Sequence, residues 1–226
     1  MKKLFLFLIL GALTLSCSSD SSSGSSISNT PEAKSQYDNS NFGIYKGVFV
    51  GSSGTVNINV NNDGSIVAIL VIDGTTFTYT TTESVTLNSV INGLTFTNGS
   101  SSFDFNVDAS GNSATITNIV ISGHPNANMY VVKEFSDALV KCYTGSFSGD
   151  DSGVFNLIVS EGEINGLAKS NSGNESIILQ GMETNNVITG SFSDGTFSGN
   201  VSGNTISGTW QNISSESGNW SGTRKL

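Results

Sequence analysis

The sequence predicts an all-β protein of two tandem antiparallel up-and-down meanders, each of about eight strands and closed or nearly closed as a small barrel. Three observations lead there. From Phe42 onward, runs of alternating polar and apolar residues are broken about every 8 to 12 residues by Gly, Asn, Asp and Ser, the pattern of short strands joined by tight turns. The breaks include Asn62-Asp63-Gly64, Asp73-Gly74, Asn98-Gly99, Gly111-Asn112, Asn185-Asn186, Asp194-Gly195 and Gly203-Asn204, residues that accept positive φ in hairpin turns. The chain also repeats itself: Ile44 to Gly51 is answered by Cys142 to Gly149, and Gly64-x-Ile66 by Gly162-x-Ile164, both at an offset of 98 residues. A later echo pairs Phe103, Phe105 and Val107 with Phe197, Gly199 and Val201 at an offset of 94. Two related units follow, over 42–135 and 142–226. One larger sheet or sandwich shared by both halves is the alternative.

Taken in order, residues 1–16 read as a signal peptide. Lys2 and Lys3 give a basic start, Leu4 to Leu15 an apolar run of twelve, and Ser16 the small residue a signal peptidase needs. Twelve residues are too few to span a bilayer. Residues 17–41 are rich in Ser, Asn and Asp, too polar to offset the entropy of ordering, and read as a disordered tether. Stretched out, the 24 or so residues from Ser18 would reach about 80 Å, with a root-mean-square span of roughly 27 Å. The first unit carries the pattern of a bulky residue, any residue, then Gly only at Tyr45, Gly47 and Phe49. A connector over 136–141 is expected to hold a short helix capped by Ser136. The second unit repeats that pattern at Tyr143-x-Gly145-x-Phe147, Ile164-x-Gly166-x-Ala168, Ile188-x-Gly190-x-Phe192, Phe197-x-Gly199-x-Val201, Ile206-x-Gly208-x-Trp210 and Trp220-x-Gly222. Residues two apart share a strand face, so these glycines line the crowded inner face of a tightly curled sheet. Both prolines, Pro31 and Pro125, fall outside predicted strands, so every central strand keeps its donors.

Leu13-Thr14-Leu15-Ser16-Cys17 resembles the lipobox of bacterial lipoproteins, in which the cysteine sulfur is diacylated after cleavage. Thr14 and Leu15 stand where that family prefers Leu and a small residue, with Leu13 one step early. The resemblance implies lipid attachment at Cys17 and a lipid-anchored place on the outer membrane. Asp20 and the serine run behind Cys17 look like signals that send some lipoproteins to the cell surface. A lipobox, a polar tether and glycine-patterned meanders together resemble the barrel domains of surface lipoproteins such as transferrin-binding protein B, and more distantly avidin-type barrels. That likeness is architectural, and no residue here matches avidin's biotin site or a transferrin-contact surface.

Composition narrows the chemistry. Without residues 1–16 the chain keeps 7 basic against 18 acidic side chains, a formal charge of −11. Nucleic acid is therefore not expected as a partner, because phosphate binding rests on clustered Lys and Arg. A lipidated Cys17 leaves Cys142 without a disulfide partner in the chain, so Cys142 reads as a small buried hydrophobe. His124, in Gly123-His124-Pro125-Asn126, is the single histidine and reads as a solvated loop residue. One histidine and one free cysteine supply neither a zinc cluster nor a Ser-His-Asp set away from that connector. Asn59-x-Asn61-x-Asp63-Gly64 matches the opening of a calcium loop, but Leu70 stands where the bidentate Glu belongs and the first ligand is neutral. No metal or cofactor is expected. Asp150-Asp151, Glu161, Glu163 and Glu175 fall at turns or strand ends, where acids are commonly solvated. Trp210 and Trp220 share a face with Ile206, Gly208 and Gly222, which points to the core.

The expected function is a non-catalytic binding or structural module, tethered through Cys17, with a protein or glycan partner. The alternatives are a small apolar-ligand carrier using a barrel interior, with the less glycine-filled first unit the better candidate, and a glycan-active enzyme using paired carboxylates.

Overall fold

A computed structural model describes residues 27–173 and 176–226. The signal peptide, Cys17, Asp20 and Glu175 lie outside the described residues. The first unit comprises β1 (Gly43–Val50), β2 (Gly54–Val60), β3 (Ile66–Ile72), β4 (Thr75–Thr80), β5 (Ile91–Asn98), β6 (Ser101–Val107), β7 (Thr115–Val120) and β8 (Asn128–Glu134). The second comprises β9 (Lys141–Gly149), β10 (Gly153–Ser160), β11 (Glu163–Ser170), β12 (Ser176–Thr184), β13 (Val187–Phe192), β14 (Gly195–Ser202), β15 (Thr205–Asn212) and β16 (Ser217–Arg224). Each unit is its own eight-stranded sheet, so the shared-sheet alternative is excluded. The second closes into a barrel as β16 pairs with β9; in the first, β8 pairs with β1 and the seam between β7 and β8 stays open.

Local chemistry accounts for the hairpins. At Asp73-Gly74 and at Asn185-Asn186 both central residues have positive φ, the geometry that matches the twist of the flanking strands. The 98-residue offset lays β1 on β9 and carries the Gly-x-Ile steps into β3 and β11; the 94-residue echo lays β6 on β14, the sixth strand of each unit.

The inward glycines have a geometric cause. A Cβ on Gly208 would run into the carbonyl of Ser198 and lie 2.6 Å from the Gly199 Cα; one on Gly218 would strike the Ser148 carbonyl. Facing glycines pair across neighbouring strands as Gly181 with Gly190, Gly199 with Gly208, Gly222 with Gly145 and Gly149 with Gly218. Strands that coil this tightly bring neighbouring backbone into the space a side chain would need, and backbone cannot yield.

The two units pack through β1, every residue of which is buried. Its inner face (Tyr45, Phe49) joins the first core, while Val48 and Val50 on the outer face meet Val140, Cys142 and Ile158. Beside them Lys46 Nζ lies 2.8 Å from Glu134 Oε2 and 3.1 Å from Glu32. The carboxylate of Glu134 also accepts the N–H groups of Val140 at 3.1 Å and Glu32 at 2.7 Å. Asn156 on β10 reaches across, its amide donating to the Phe49 carbonyl at 2.6 Å and the Ser52 carbonyl at 2.8 Å.

Two sequence expectations need correction. The connector forms no helix: Phe135 and Ala138 bridge across a turn, and Ser136 bonds Asp38 through both its N–H and its hydroxyl. The tether expected over 17–41 is docked wherever it is described. Arg224 donates to the Ser28 carbonyl and to Asn29 Oδ1, Asn62 bonds both Glu32 and Lys34, and Ser35–Tyr37 makes one 3₁₀ turn. Lys133 then holds the carbonyls of Tyr37, Ser40 and Phe42, closing one end of the first unit. Composition missed this because the contacts are polar and come from distant residues.

Gly208→Ala and Gly218→Ala should each lower stability by at least about 1–3 kcal/mol in chemical denaturation. Gly173→Ala, where among the described residues an added Cβ meets only Ser170 at 3.8 Å, should stay within about 0.5 kcal/mol of the parent. Asn156→Ala removes both inter-unit bonds and should cost roughly 2 kcal/mol in the same measurement.

Candidate functional site

The interiors of the two units differ. In the first, Tyr45, Phe49, Tyr79, Phe96, Phe103 and Phe105 are fully buried and fill the lumen, with Tyr45 edge-on to Phe105 at 4.8 Å and Phe96 stacked on Phe103 at 5.3 Å. In the second, a cavity of about 230 Å³ opens among Phe147, Phe155, Phe197, Trp210 and Trp220, with Leu157, Ala168, Ile177 and Leu179 behind. The expectation that the first unit is the roomier one is thus overturned. Glycines had been taken to fill the inner face; in fact they make room for rings to lie flat.

Each ring covers a glycine on the strand it pairs with. Phe147 faces Gly153, Phe155 faces Gly145, Phe192 faces Gly195, Phe197 faces Gly190 and Trp210 faces Gly218. A Cβ on Gly153 would come within 2.7 Å of the Phe147 ring, and one on Gly218 within 2.6 Å of the Trp210 indole nitrogen. The rings therefore lie along the wall and leave the axis open, a cross-strand ring-over-glycine pairing that also restores apolar cover to bare backbone. Both indole N–H groups are spent on strand carbonyls, Trp210 on Ser148 at 3.3 Å and Trp220 on Thr209 at 3.0 Å, so the ring faces are left for contact. Phe155 and Phe197 stand edge-to-face with Trp220 at 5.9 and 6.2 Å, and Phe147 with Trp210 at 6.1 Å.

The barrel has two unlike ends. Asp151, Asp194 and Glu216, from the loops after β9, β13 and β15, stand at the open mouth. At the other end Tyr143, Val159, Ile164, Ile188 and Ile206 are buried together, and Arg224 beyond them holds Ser28 and Asn29. The amino-terminal segment thus leaves from the closed end. Strands of eight residues tilted as in small barrels put the mouth roughly 20 Å away.

The sequence candidates fall as follows. Trp220 is buried in the second core as expected, Trp210 packs half-buried against it, and both line the cavity. His124 packs edge-on over Phe49 at 5.3 Å in the loop between β7 and β8, half-buried instead of solvated. In the calcium-like string the Asn59 amide donates to Asp63 Oδ1 at 2.7 Å, and Ser65 donates to the same oxygen from hydroxyl and N–H, which lowers the pKa of Asp63. Those bonds staple a hairpin. The described acids among those weighed as a catalytic pair do not gather. Asp150 and Asp151 sit at the mouth, with Asp150 accepting the Ser217 N–H, whereas Glu161 and Glu163 sit at the closed end. Cys142 is fully buried between the units, and burial pushes its thiol up to about 12, with Lys46 pulling the other way. With Cys17→Ser leaving it as the lone thiol, Cys142 should react with a disulfide reagent at pH 8 only as fast as the protein unfolds. Rapid labelling of the folded protein would contradict its burial.

In comparisons with known proteins, no family model matches the chain and no curated protein matches it. Among solved structures it is similar to HpuA from Kingella denitrificans, crystallised in complex with human haemoglobin. The likeness has 13% identity and a TM-score of 0.31 over 88% of this chain and 92% of that one. At that level it assigns neither family nor function.

Proposed function

We propose that the chain is a lipid-tethered, non-catalytic binding protein whose second barrel takes a small apolar molecule into a mouth turned away from the anchor. The observation that carries this reading is the ring-lined cavity of about 230 Å³. An apolar cavity of about 150 Å³ admits benzene, so this one has room for roughly ten heavy atoms. Its lining, mostly apolar with a few polar groups at the rim, is the usual make-up of a small-molecule site. The tether supports the same reading. Ten residues lie between Cys17 and Ser28, and the eleven steps allow at most roughly 37 Å of extended chain between the lipid and the closed end. The barrel would then stand on the membrane with its mouth outward.

Two measurements test this reading. Incorporation of labelled palmitate into the expressed protein should disappear in Cys17→Ala; labelling that persists would refute the anchor. The chain has two tryptophans and both line the cavity, so intrinsic fluorescence reports occupancy directly. tert-Butylbenzene should shift it saturably, and Ala168→Phe, which fills the lumen, should abolish the shift. Metal-independent hydrolase activity lost on changing one carboxylate would overturn the non-catalytic reading.

A further inference from the structure

We propose that the molecule held in the second barrel is an organic cation, an aromatic or alkyl group carrying a quaternary or protonated nitrogen. This rests on the cavity reading above and adds the sign of the ligand's charge. Three independent features of the mouth agree on it.

The first is the aromatic box. Phe155 and Phe197 stand at 86° and 87° to Trp220, and Phe147 at 87° to Trp210, so neighbouring walls meet near right angles around the opening. With both indole N–H groups committed to backbone, what faces inward is π surface, whose quadrupole attracts cations most strongly at Trp. The second is the rim. The charged residues that line the mouth are Asp151, Asp194 and Glu216, with no Lys, Arg or His among the described residues lining it. Asp151 holds the Ser152 N–H and the Ser170 and Ser172 hydroxyls on one oxygen, Oδ1. Among the described residues Asp194 has only the Ser193 hydroxyl at 3.4 Å, and Glu216 only the Asn212 amide at 2.7 Å, so both keep oxygens for an incoming charge. The third is the placement of the barrel's cations. Arg224 lies at the closed end with its donors given to Ser28, Asn29 and Leu226, behind packed Tyr143, Ile188 and Ile206, while Lys141 pairs with Glu183 at 3.7 Å. Lys169, near the rim, lies on the outward-facing side of β11. Among the described residues, an anion would meet carboxylates at the door and no cationic side chain inside.

The test compares two molecules of one shape, phenyltrimethylammonium and neutral tert-butylbenzene. They are titrated into the full mature chain carrying Cys17→Ser for solubility, with tryptophan fluorescence as the readout. At low salt the cation should bind about 5- to 30-fold more tightly. The double variant Asp194→Asn, Glu216→Gln should lose most of that advantage while its affinity for tert-butylbenzene is unchanged. Near-ultraviolet circular dichroism identical to the parent verifies that the double variant is folded. Equal or weaker binding of the cation would overturn the charge assignment and leave the cavity reading standing. An advantage that survives intact in the double variant would overturn the role of the two carboxylates. No response to either molecule would overturn the inference together with the cavity reading.

Discussion

The pairing of an inward aromatic ring with a glycine on the neighbouring strand governs the second barrel. The glycine lets two strands approach and coil until the sheet closes, and the ring opposite lies down over the bared backbone. Phe147 with Gly153, Phe155 with Gly145, Phe197 with Gly190 and Trp210 with Gly218 repeat the device around the wall. Closure and a hollow centre therefore have the same cause. The first unit has Phe49 opposite Gly54, but Phe96, Phe103 and Phe105 point inward and fill its lumen, and its sheet stops short of closing.

The two units depend on each other through β1. Its inner face belongs to the first core and its outer face to the joint with the second unit, so it is buried on both sides. Burying Lys46 and Glu134 there is costly unless each is fully paired, and the extra N–H donors of Val140 and Glu32 supply that pairing. The same carboxylate thus ties the amino-terminal segment, β1 and the connector together. Removing either partner would leave a buried charge alone, a loss of about 3–5 kcal/mol in comparable pairs. The joint fixes the two units side by side, and the amino-terminal segment passes the closed end of the second barrel, away from its mouth.

Much of the architecture was legible in the sequence because it is written in short-range patterns. Alternation gave the strands, Asp73-Gly74 and Asn185-Asn186 gave tight hairpins, and the 98-residue offset aligned β1 with β9 correctly. What was not legible depends on partners far apart in the chain. Ser28 and Asn29 lie almost two hundred residues from Arg224, and nothing local marks so polar a stretch as docked. The cavity was misplaced for a related reason. Glycine content was read as filling, whereas the register that sets Phe197 against Gly190 and Trp210 against Gly218 shows it as space. The spacing of a ring and a glycine on either side of one hairpin, as in Phe147 and Gly153 or Phe192 and Gly195, was the signal available. Asp194 belonged to a turn motif and Glu216 to no motif, and only barrel closure gathers them at one mouth.

The account stands on the second barrel being hollow where its rings lie along the wall. Xenon enters apolar cavities without requiring any particular polar partner, so a crystal pressurised with xenon examines the space itself. The account predicts xenon inside the second barrel against Phe155, Phe197, Trp210 and Trp220, with none among Phe96, Phe103 and Phe105 of the first. A second barrel whose rings turn inward and leave no site for xenon would contradict it.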